Sequence, residues 1–580
     1  MRSSTLSVFD YVVLVVLLLL SAFIGIVFGF VKSKKASSEE FFLADGKMHV
    51  FPTALSITVS FLSAITILGT PSEVYMSGTM FWYQAAAWSI ASMITAFVFM
   101  PKFREMKFTS IYQYLEKRFD QSVRTCASIT FTVYMFIYMA LVLYAPALAL
   151  SQTTGLNKWL SVVSISVVCT FYSSVGGMKA IIWTDVLQAL VMYAGIFIGV
   201  IQGLILVGGF ERAFSIAHQG HRIEFDNISF DPRTRHTVWS LLVGNSFNAL
   251  LTYGFNQMQV QRYMCVQSTR EAQKALLVNI VGVTSLILLS CLMGVILYAY
   301  YAGCDPYTAG RIQNVDQLLP YFIMETVGHK KGVPGLFLAC AFSGSLSTIS
   351  SGLNSMAAVM IEDVYKGVMR RNLSREHQGF VSKIVSMCIG LVIVLLTYFV
   401  SHLGSVINAA ISLSSTLCGP IMGVFFLGFF FSRANRLGAL VGFFVSLVFQ
   451  LWIFIGVQVT KHQLSNHRLP LSILNCTDIG TLPMLNRTTS IPRHVESNVL
   501  LSLYSISHMW YTPIAVGTVV IVGIIVSYLF HPLKPNEIDS KLIIRIHDIR
   551  AYCRWSKKEQ KSNNCVVFNA ADDRQDMLLF

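Results

Sequence analysis

Apolar stretches of about 20 residues recur along most of this 580-residue chain. Only helices and closed barrels satisfy all their backbone polar groups in lipid, and a helix needs about 20 apolar residues to cross the hydrocarbon core. Charged residues make up only 12% of the chain, about half the fraction of a soluble domain. The sequence therefore predicts an all-α integral membrane protein.

Hydropathy and loop charge together predict about 13 transmembrane helices. Their approximate cores are 9–31, 52–76, 79–101, 124–152, 158–176, 180–208, 238–261, 276–302, 334–362, 380–402, 404–431, 437–457 and 509–531. Basic loops containing Lys102, Arg262, Arg370 and Arg433 fall on one side, which the positive-inside rule makes the cytoplasm. This order places the N-terminus outside the cell and the C-terminus in the cytoplasm.

Glycosylation sequons and two cysteines fall in the loops predicted outside. The sequons begin at Asn227, Asn475 and Asn486, and they suit a multi-pass protein of the plasma membrane. Cys304 and Cys476 also fall outside and could form a disulfide.

Charge and cysteine content argue against other classes of protein. The net charge is +14, but the basic residues lie in short loops between spans, so we expect no nucleic-acid partner. The 11 cysteines form no CxxC pattern and no cluster with histidine. Because no nucleophile–base pair or metal-ligand cluster stands out, we expect that the protein is not an enzyme.

A run of hydroxyl side chains occupies the predicted span 334–362. Ser343, Ser347 and Ser351 recur every four residues, and Thr348 and Ser355 continue the same helix face. Hydrocarbon cannot hydrogen-bond with hydroxyls, so this face must meet protein, water or an ion. Neutral oxygen ligands suit a hard monovalent cation, and the run therefore predicts an ion site.

The second predicted span is also unusually polar. Its hydroxyl residues are Ser56, Thr58, Ser60, Ser63 and Thr66. Gly69 and Pro71 are expected to weaken its helix near the far end, and a broken helix frees carbonyls that can coordinate a cation. The alternative is an intact helix whose hydroxyls bond back to its own carbonyls. The hydroxyl-rich span comes seven spans later, so the two would be the first and eighth helices of a ten-helix core.

Several motifs occur in a fixed order between about residues 9 and 530. They are SFLSAITILGTPSEVY from residue 60, YAPAL from 144, YSSVGGMKAIIWTD from 172, NQMQVQRY from 256, AFSGSLST from 341, EDVY from 362 and RANRLGA from 433. In these motifs the chain resembles the sodium/solute symporter family, in its branch of monocarboxylate, multivitamin and iodide carriers.

The resemblance implies a LeuT-like core of two inverted five-helix repeats with one extra N-terminal and two extra C-terminal helices. Residues 1–50 would hold the extracellular N-terminus, the first extra helix and a linker, and residues 51–431 the transport core. Residues 432–531 would hold the last two helices with a glycosylated loop at 458–508, and residues 532–580 a cytoplasmic tail with little order.

The resemblance also implies the site residues and the coupled ion, Na⁺. The ion would be held by carbonyls of Val59, Leu62 and Gly344 and by the hydroxyls of Ser347 and Thr348. Asp185 would line the sodium exit path; the alternative is a helix-end pair with Lys179. The candidate substrate contacts are Ser63, Thr66, Tyr144, Tyr253, Gln257 and Phe425.

The implied function is Na⁺-driven import of small organic anions such as lactate, pyruvate or nicotinate. The alternatives are a carrier of biotin, pantothenate, iodide or sugars, and a solute-gated sensor that conducts ions without accumulating solute. The expected partners are Na⁺, the small-molecule substrate and the lipid bilayer, with the protein a monomer or a homodimer.

Overall fold

The computed structural model describes residues 6–31, 38–371, 375–401, 406–460, 469–474, 476, 499–534 and 537–553. In these ranges the regular structure is helical, and the one β pairing is an isolated bridge between Met48 and Val266. Ten described helices are long and apolar enough to cross a membrane, and a bent pair brings the number to eleven. The prediction of an all-α membrane protein is confirmed.

The first half of the chain forms α1 (Val8–Ile26), α2 (Ser38–Leu43), α3 (Val50–Phe61), α4 (Ala64–Ser77), α5 (Tyr83–Ile94), α6 (Met100–Met106), α7 (Gln113–Arg118), α8 (Gln121–Thr154), α9 (Lys158–Val207), α10 (Phe210–Gln219), α11 (Asn245–Phe255) and α12 (Gln257–Met264). The second half forms α13 (Thr269–Tyr301), α14 (Leu318–Val327), α15 (Val333–Val359), α16 (Arg375–Val400), α17 (Val406–Phe430), α18 (Arg436–Thr460), α19 (Val499–Tyr504), α20 (Tyr511–Leu529) and α21 (Ile546–Cys553).

The second predicted span is broken, but not where the sequence indicated. Helices α3 and α4 meet at an angle of 59°, and the break lies at Leu62 and Ser63. Ser63 is extended, and its Oγ caps α4 by accepting a hydrogen bond from the Ile65 amide at 3.2 Å. Gly69 and Pro71 both lie inside α4, so the expectation that they interrupt the helix is wrong.

Helix α9 is too long to cross a bilayer once. Its 50 residues correspond to about 75 Å, more than twice the hydrocarbon thickness. Gly177 interrupts it with φ 56° and ψ −156°, a conformation that favours glycine. A Cβ at Gly177 would lie 2.8 Å from the Phe41 carbonyl oxygen, so the chain at this kink packs tightly against α2.

The two ends of the helix assembly differ in what covers them. A disulfide joins Cys304 to Cys476 at one end, which we call the disulfide face. The segment 537–553 packs on the opposite end, which we call the tail face. Three aliphatic side chains of this segment are buried against the helices, namely those of Leu542, Ile543 and Ile544. The expectation that the tail has little order is therefore wrong for this segment.

Helix α15 occupies the centre of the assembly. Every residue from 337 to 359 is buried, although many of them are serine or threonine. Helices α3, α4, α8 and α9 all pack against it. The predicted hydroxyl face therefore meets protein on the inside of the assembly and not lipid, as the hydrogen-bonding requirement of hydroxyl groups demands.

Candidate ion and solute site

The break between α3 and α4 rests directly on α15. A Cβ at Gly344 would lie 2.5 Å from the amide nitrogen of Ala64 and 2.9 Å from the carbonyl carbon of Ser63. Thr348 Oγ1 lies 2.8 Å from the Ser60 carbonyl oxygen and 3.0 Å from that of Gly344. The absence of a side chain at residue 344 thus lets the two backbones touch at the break.

All five residues predicted to hold the ion lie around this contact. Val59 and Leu62 belong to the end of α3 and to the break, and Gly344, Ser347 and Thr348 face them from α15. Each of the five is buried. Carbonyl and hydroxyl oxygens are the ligands that hard cations prefer, so the donor set fits Na⁺.

The break also brings two helix ends of opposite polarity together. Helix α3 ends at Phe61 with carbonyl groups that lack intrahelical partners, and these form the negative end of its dipole. Helix α4 begins at Ala64, so its positive amide end lies within three residues of those carbonyls. One short segment can therefore serve a cation on one side and a carboxylate on the other.

Asp185 is coupled to the ion site through a shared serine. Ser347 Oγ donates to Asp185 Oδ1 at 2.7 Å, and Ser56 Oγ donates to Oδ2 at 2.5 Å. Arg262 Nη2 lies 3.4 Å from the same Oδ2, and both charged side chains are fully buried. The carboxylate is therefore held by two hydroxyls and one guanidinium at the base of the site.

The alternative pairing of Asp185 with Lys179 is wrong. Lys179 Nζ lies 2.7 Å from Glu40 and 3.1 Å from Asp45, so its charge is engaged by the linker that precedes α3. That linker is therefore fastened to α9 close to the Gly177 kink.

Arg262 is the main residue of the site that sequence reasoning missed. It was counted among the loop charges, but it lies on α12 with no exposed surface. Its guanidinium donates to the Met258 carbonyl at 2.6 Å, to Ser56 Oγ at 2.7 Å, and to Ser351 Oγ. The available signal was Asp185 itself, because a carboxylate within a membrane span requires a counter-charge.

Two predicted substrate residues lie at the break itself. Ser63 is hydrogen-bonded to the Tyr138 hydroxyl as well as capping α4, and the Tyr138 ring stacks on Phe61 with centroids 6.3 Å apart. Thr66 is the third residue of α4 and is half-buried, with Oγ1 3.5 Å from the Phe61 carbonyl oxygen. Tyr138 therefore contacts both sides of the break, although no sequence pattern had singled it out.

Other predicted substrate residues make contacts elsewhere. The Tyr144 hydroxyl donates to the Ser401 carbonyl at 3.3 Å. The ring of Tyr253 packs edge-on against Trp88, with centroids 5.5 Å apart. Tyr144 is therefore directed towards the segment between α16 and α17, whereas Tyr253 faces α5.

Gln257 and Phe425 belong to the structure that seals the tail face. The Gln257 amide donates to the Thr109 carbonyl at 2.7 Å and accepts from the Ile111 amide at 2.9 Å. Phe425 lies in a buried aromatic group, which we call the aromatic plug, formed by Phe99, Phe103, Phe255, Phe425 and Phe429. The plug fills the space between α6, α11 and α17.

Helix α5 presents polar groups to the interior that the sequence did not single out. Ala86, Ile90 and Met93 are exposed on one side of the helix, as expected of a face that meets lipid. Gln84 and Trp88 lie on the opposite side of the helix, which faces the interior of the assembly, and both are half-buried. Trp88 Nε1 and Gln84 Oε1 have no hydrogen-bond partner in the described part of the chain.

One of the three predicted glycosylation sites can be placed. Asn227 lies half-buried in the connection that follows α10, where its amide oxygen accepts a hydrogen bond from Ser229. The Asn475 and Asn486 positions lie outside the described residues.

The comparisons with known proteins settle the family. The model of the sodium:solute symporter family matches residues 41–446. This chain belongs to that family. It is 39% identical to sodium-coupled monocarboxylate transporter 1 of Homo sapiens over 96% of this chain and 92% of that protein. It is 35% identical to the sodium/iodide cotransporter of Homo sapiens over 93% of this chain and 86% of that protein.

A solved structure supports the same assignment. The substrate-bound, outward-open state of a Na⁺-coupled sialic acid symporter superposes with a TM-score of 0.73 at 26% identity, covering 91% of this chain and 99% of that one. The predicted family membership is confirmed, and with it the description of the chain as a membrane transport protein.

Proposed function

We propose that this protein is a Na⁺-coupled symporter that imports small monocarboxylates, such as lactate, pyruvate and nicotinate, across the plasma membrane. The observation that carries the proposal is the buried break at Leu62 and Ser63, which rests on the hydroxyl face of α15. The names of the monocarboxylate transporters to which the chain is similar support both the ion and the substrate class.

We propose 13 membrane spans arranged around a LeuT-like core. The bent pair α3/α4 counts as the first core helix, α9 as two spans divided at Gly177, and α11 with α12 as one. Helix α15 is then the eighth core helix and α17 the tenth, with α1 before the core and α18 and α20 after it. The sequons and basic loops support an extracellular disulfide face and a cytoplasmic tail face.

In this proposal, Na⁺ binds where α3 and α15 meet. The carbonyls of Val59, Leu62 and Gly344 and the hydroxyls of Ser347 and Thr348 supply neutral oxygen ligands. Because the ligands come from two helices, the bound ion fixes their relative position. An ion that favours one arrangement of α3 and α15 over another can bias the conformational change, as coupling requires.

The carboxylate of the substrate binds on the opposite side of the break. The amide end of α4 attracts an anion, and the hydroxyls of Ser63 and Thr66 are hydrogen-bond donors beside it. This arrangement needs no lysine or arginine in the pocket. It also places the substrate beside the Na⁺ site, so each ligand favours binding of the other.

Release to the cytoplasm requires two barriers to open. The Asp185–Arg262 pair closes the inner side of the ion site, and the aromatic plug closes the space between α6, α11 and α17. Na⁺ leaves along Asp185, because Ser347 hydrogen-bonds with that carboxylate and is also an ion ligand.

The ion gradients supply enough free energy for this transport. Each charge moving inward gains about 2.3 kcal/mol per 100 mV of membrane potential. About 1.4 kcal/mol corresponds to a tenfold concentration ratio. The potential acting on one Na⁺ can therefore support a concentration ratio of more than about tenfold for an uncharged solute. A monocarboxylate anion moves against the potential, so with one Na⁺ per substrate no net charge moves and the Na⁺ concentration gradient alone drives accumulation, whereas with more than one Na⁺ the potential contributes as well.

The experiment that tests this function is uptake and current in whole cells with and without external Na⁺, using labelled lactate, pyruvate, nicotinate, biotin, iodide and glucose. We expect Na⁺-dependent accumulation of the monocarboxylates. Accumulation of biotin, iodide or glucose alone would replace the substrate class, and current without accumulation of any solute would favour a sensor.

A further inference from the structure

We propose that residues 537–553 form a clasp, here called the tail clasp, which holds the cytoplasmic side of the transporter closed and must detach before that side opens. The inference rests on the proposed function, because it assumes alternating access and a cytoplasmic tail face. It goes beyond that function by assigning a regulatory contact to a segment that lies after the last membrane helix.

The first half of the clasp is fastened to α17 and α7. The Ile544 amide donates to the Phe429 carbonyl at 3.0 Å, and the Tyr114 hydroxyl donates to the Leu542 carbonyl at 3.0 Å. The Tyr114 ring stacks on Phe429 with centroids 4.3 Å apart. Because Phe429 belongs to the aromatic plug, the clasp is attached to the plug itself.

The second half of the clasp is fastened to α6 and α13. Asp548 lies 3.5 Å from Lys102 Nζ, and the lysine side chain is only 4% exposed. The Tyr552 hydroxyl donates to the Glu105 carboxylate, and Gln273 Nε2 donates to the Tyr552 carbonyl at 3.4 Å. Lys102 Nζ also lies 3.5 Å from the Glu105 carboxylate, so the docked α21 supplies a second carboxylate to a buried lysine and also contacts Glu105 through Tyr552.

The clasp therefore connects three core helices whose ends surround the plug. Helix α6 ends the second core helix, α13 is the seventh, and α17 is the tenth. Ile544 is attached to α17 and Asp548 to α6, and only three residues lie between them in the chain. If α17 and α6 separate, the segment cannot stay attached to both, so the contacts of one half must break. Any opening of the cytoplasmic side that parts these helices must consequently release the clasp.

Cys265 provides a native reporter of such opening. Its thiol is fully buried at the end of α12 and donates to the Gln261 carbonyl at 3.0 Å. Arg104 covers the same segment by donating to the Tyr263 and Val266 carbonyls. The cytoplasmic side must loosen before a water-soluble maleimide can reach this thiol.

The test measures maleimide labelling of Cys265 by mass spectrometry in inside-out vesicles without substrate. Ile544→Asp places a charge at a position that is 6% exposed, and His547→Asp places the same charge at an exposed position of the same segment. We expect Cys265 of Ile544→Asp to label at least about threefold faster than that of the unmodified protein. The substitution removes a contact that stabilises only the closed state, so a larger fraction of the molecules is open. His547→Asp should label at the unmodified rate.

A synthetic peptide of residues 537–553 separates release of the clasp from a loosened fold. Added to Ile544→Asp vesicles, it should return Cys265 to its slow labelling by occupying the vacated surface. Equal labelling of Ile544→Asp and His547→Asp would overturn the proposal, and so would fast labelling that the peptide does not slow.

The coupled uptake of the same proteins keeps the two proposals distinguishable. With the clasp released, fewer molecules face outward, so we expect the Na⁺ concentration for half-maximal uptake to rise in Ile544→Asp and to stay unchanged in His547→Asp. If no variant shows Na⁺-dependent uptake of any solute, the proposed function fails, whereas the labelling result still decides whether the tail holds the cytoplasmic side closed.

Discussion

Thr348→Val is the substitution that addresses the ion site most selectively. Valine has nearly the shape of threonine, so the contact between α15 and the break is kept and only the hydroxyl is lost. In the structure that hydroxyl lies 2.8 Å from the Ser60 carbonyl and 3.0 Å from the Gly344 carbonyl, at the point where the proposed ion ligands converge. Thr348→Ser keeps the hydroxyl and is the matched control.

The magnitude follows from the loss of one oxygen that interacts with a full charge. A hydrogen bond to a charged group contributes about 1.5–3 kcal/mol, and we take an ion–hydroxyl contact to be of similar strength. At about 1.4 kcal/mol for each tenfold change, the Na⁺ concentration for half-maximal uptake should rise about ten- to a hundredfold. Thr348→Ser should remain within about threefold of the unmodified protein, because its oxygen can occupy the same place.

The assay is the Na⁺ dependence of labelled lactate uptake at equal surface abundance, with choline replacing Na⁺. Substrate affinity at saturating Na⁺ should change much less than the Na⁺ dependence. If Thr348→Val retains the Na⁺ dependence of the unmodified protein, Thr348 is not an ion ligand, and the assignment of the site to the α3–α15 contact fails.

Three further substitutions test neighbouring parts of the account. Gly344→Val should raise the Na⁺ concentration for half-maximal uptake and lower surface abundance, because even a Cβ at this position would lie 2.5 Å from the Ala64 amide nitrogen. Gly517→Val is the control and should do neither, because no atom of the described residues lies within 4 Å of a Cβ added there. Thr66→Gln should change the preference among anions in competition assays and leave the Na⁺ dependence in place. Arg262→Met should lower the free energy of unfolding of the solubilised protein by about 3–5 kcal/mol, because it leaves the buried Asp185 carboxylate without its counter-charge. The double variant Arg262→Met with Asp185→Leu should recover most of that lost free energy. A stable single variant would contradict the pairing.

The hydroxyl face of α15 was predictable because burial and helix periodicity leave hydroxyls few alternatives. Ser347 and Thr348 lie where their spacing indicated, and a contact with the second span was expected from the order of spans. The position of the break was not predictable from glycine and proline alone. It depends on the cap formed by Ser63 and on the close approach of Gly344, which belongs to a helix nearly 300 residues later in the chain.

The pocket and the tail required the structure for a different reason. Arg262 follows a polar segment next to basic loops, so its charge was assigned to the surface, although Asp185 needed a buried partner. Trp88 belongs to an ordinary apolar span, and only the arrangement of α5 shows that it borders the interior. The segment that contains Ile544 is short, and its aliphatic residues do not indicate from the sequence which surface they cover; its contacts are with the surface formed by α6, α13 and α17.

The most direct test of coupled transport uses the purified protein in liposomes that contain no other transporter. An inward Na⁺ gradient is imposed with the membrane potential clamped, and internal labelled lactate is followed over time. We predict a transient rise of internal lactate above its equilibrium level, which disappears when a Na⁺ ionophore collapses the gradient. Lactate entry that only reaches equilibrium, at the same rate with and without the gradient, would contradict Na⁺-coupled symport.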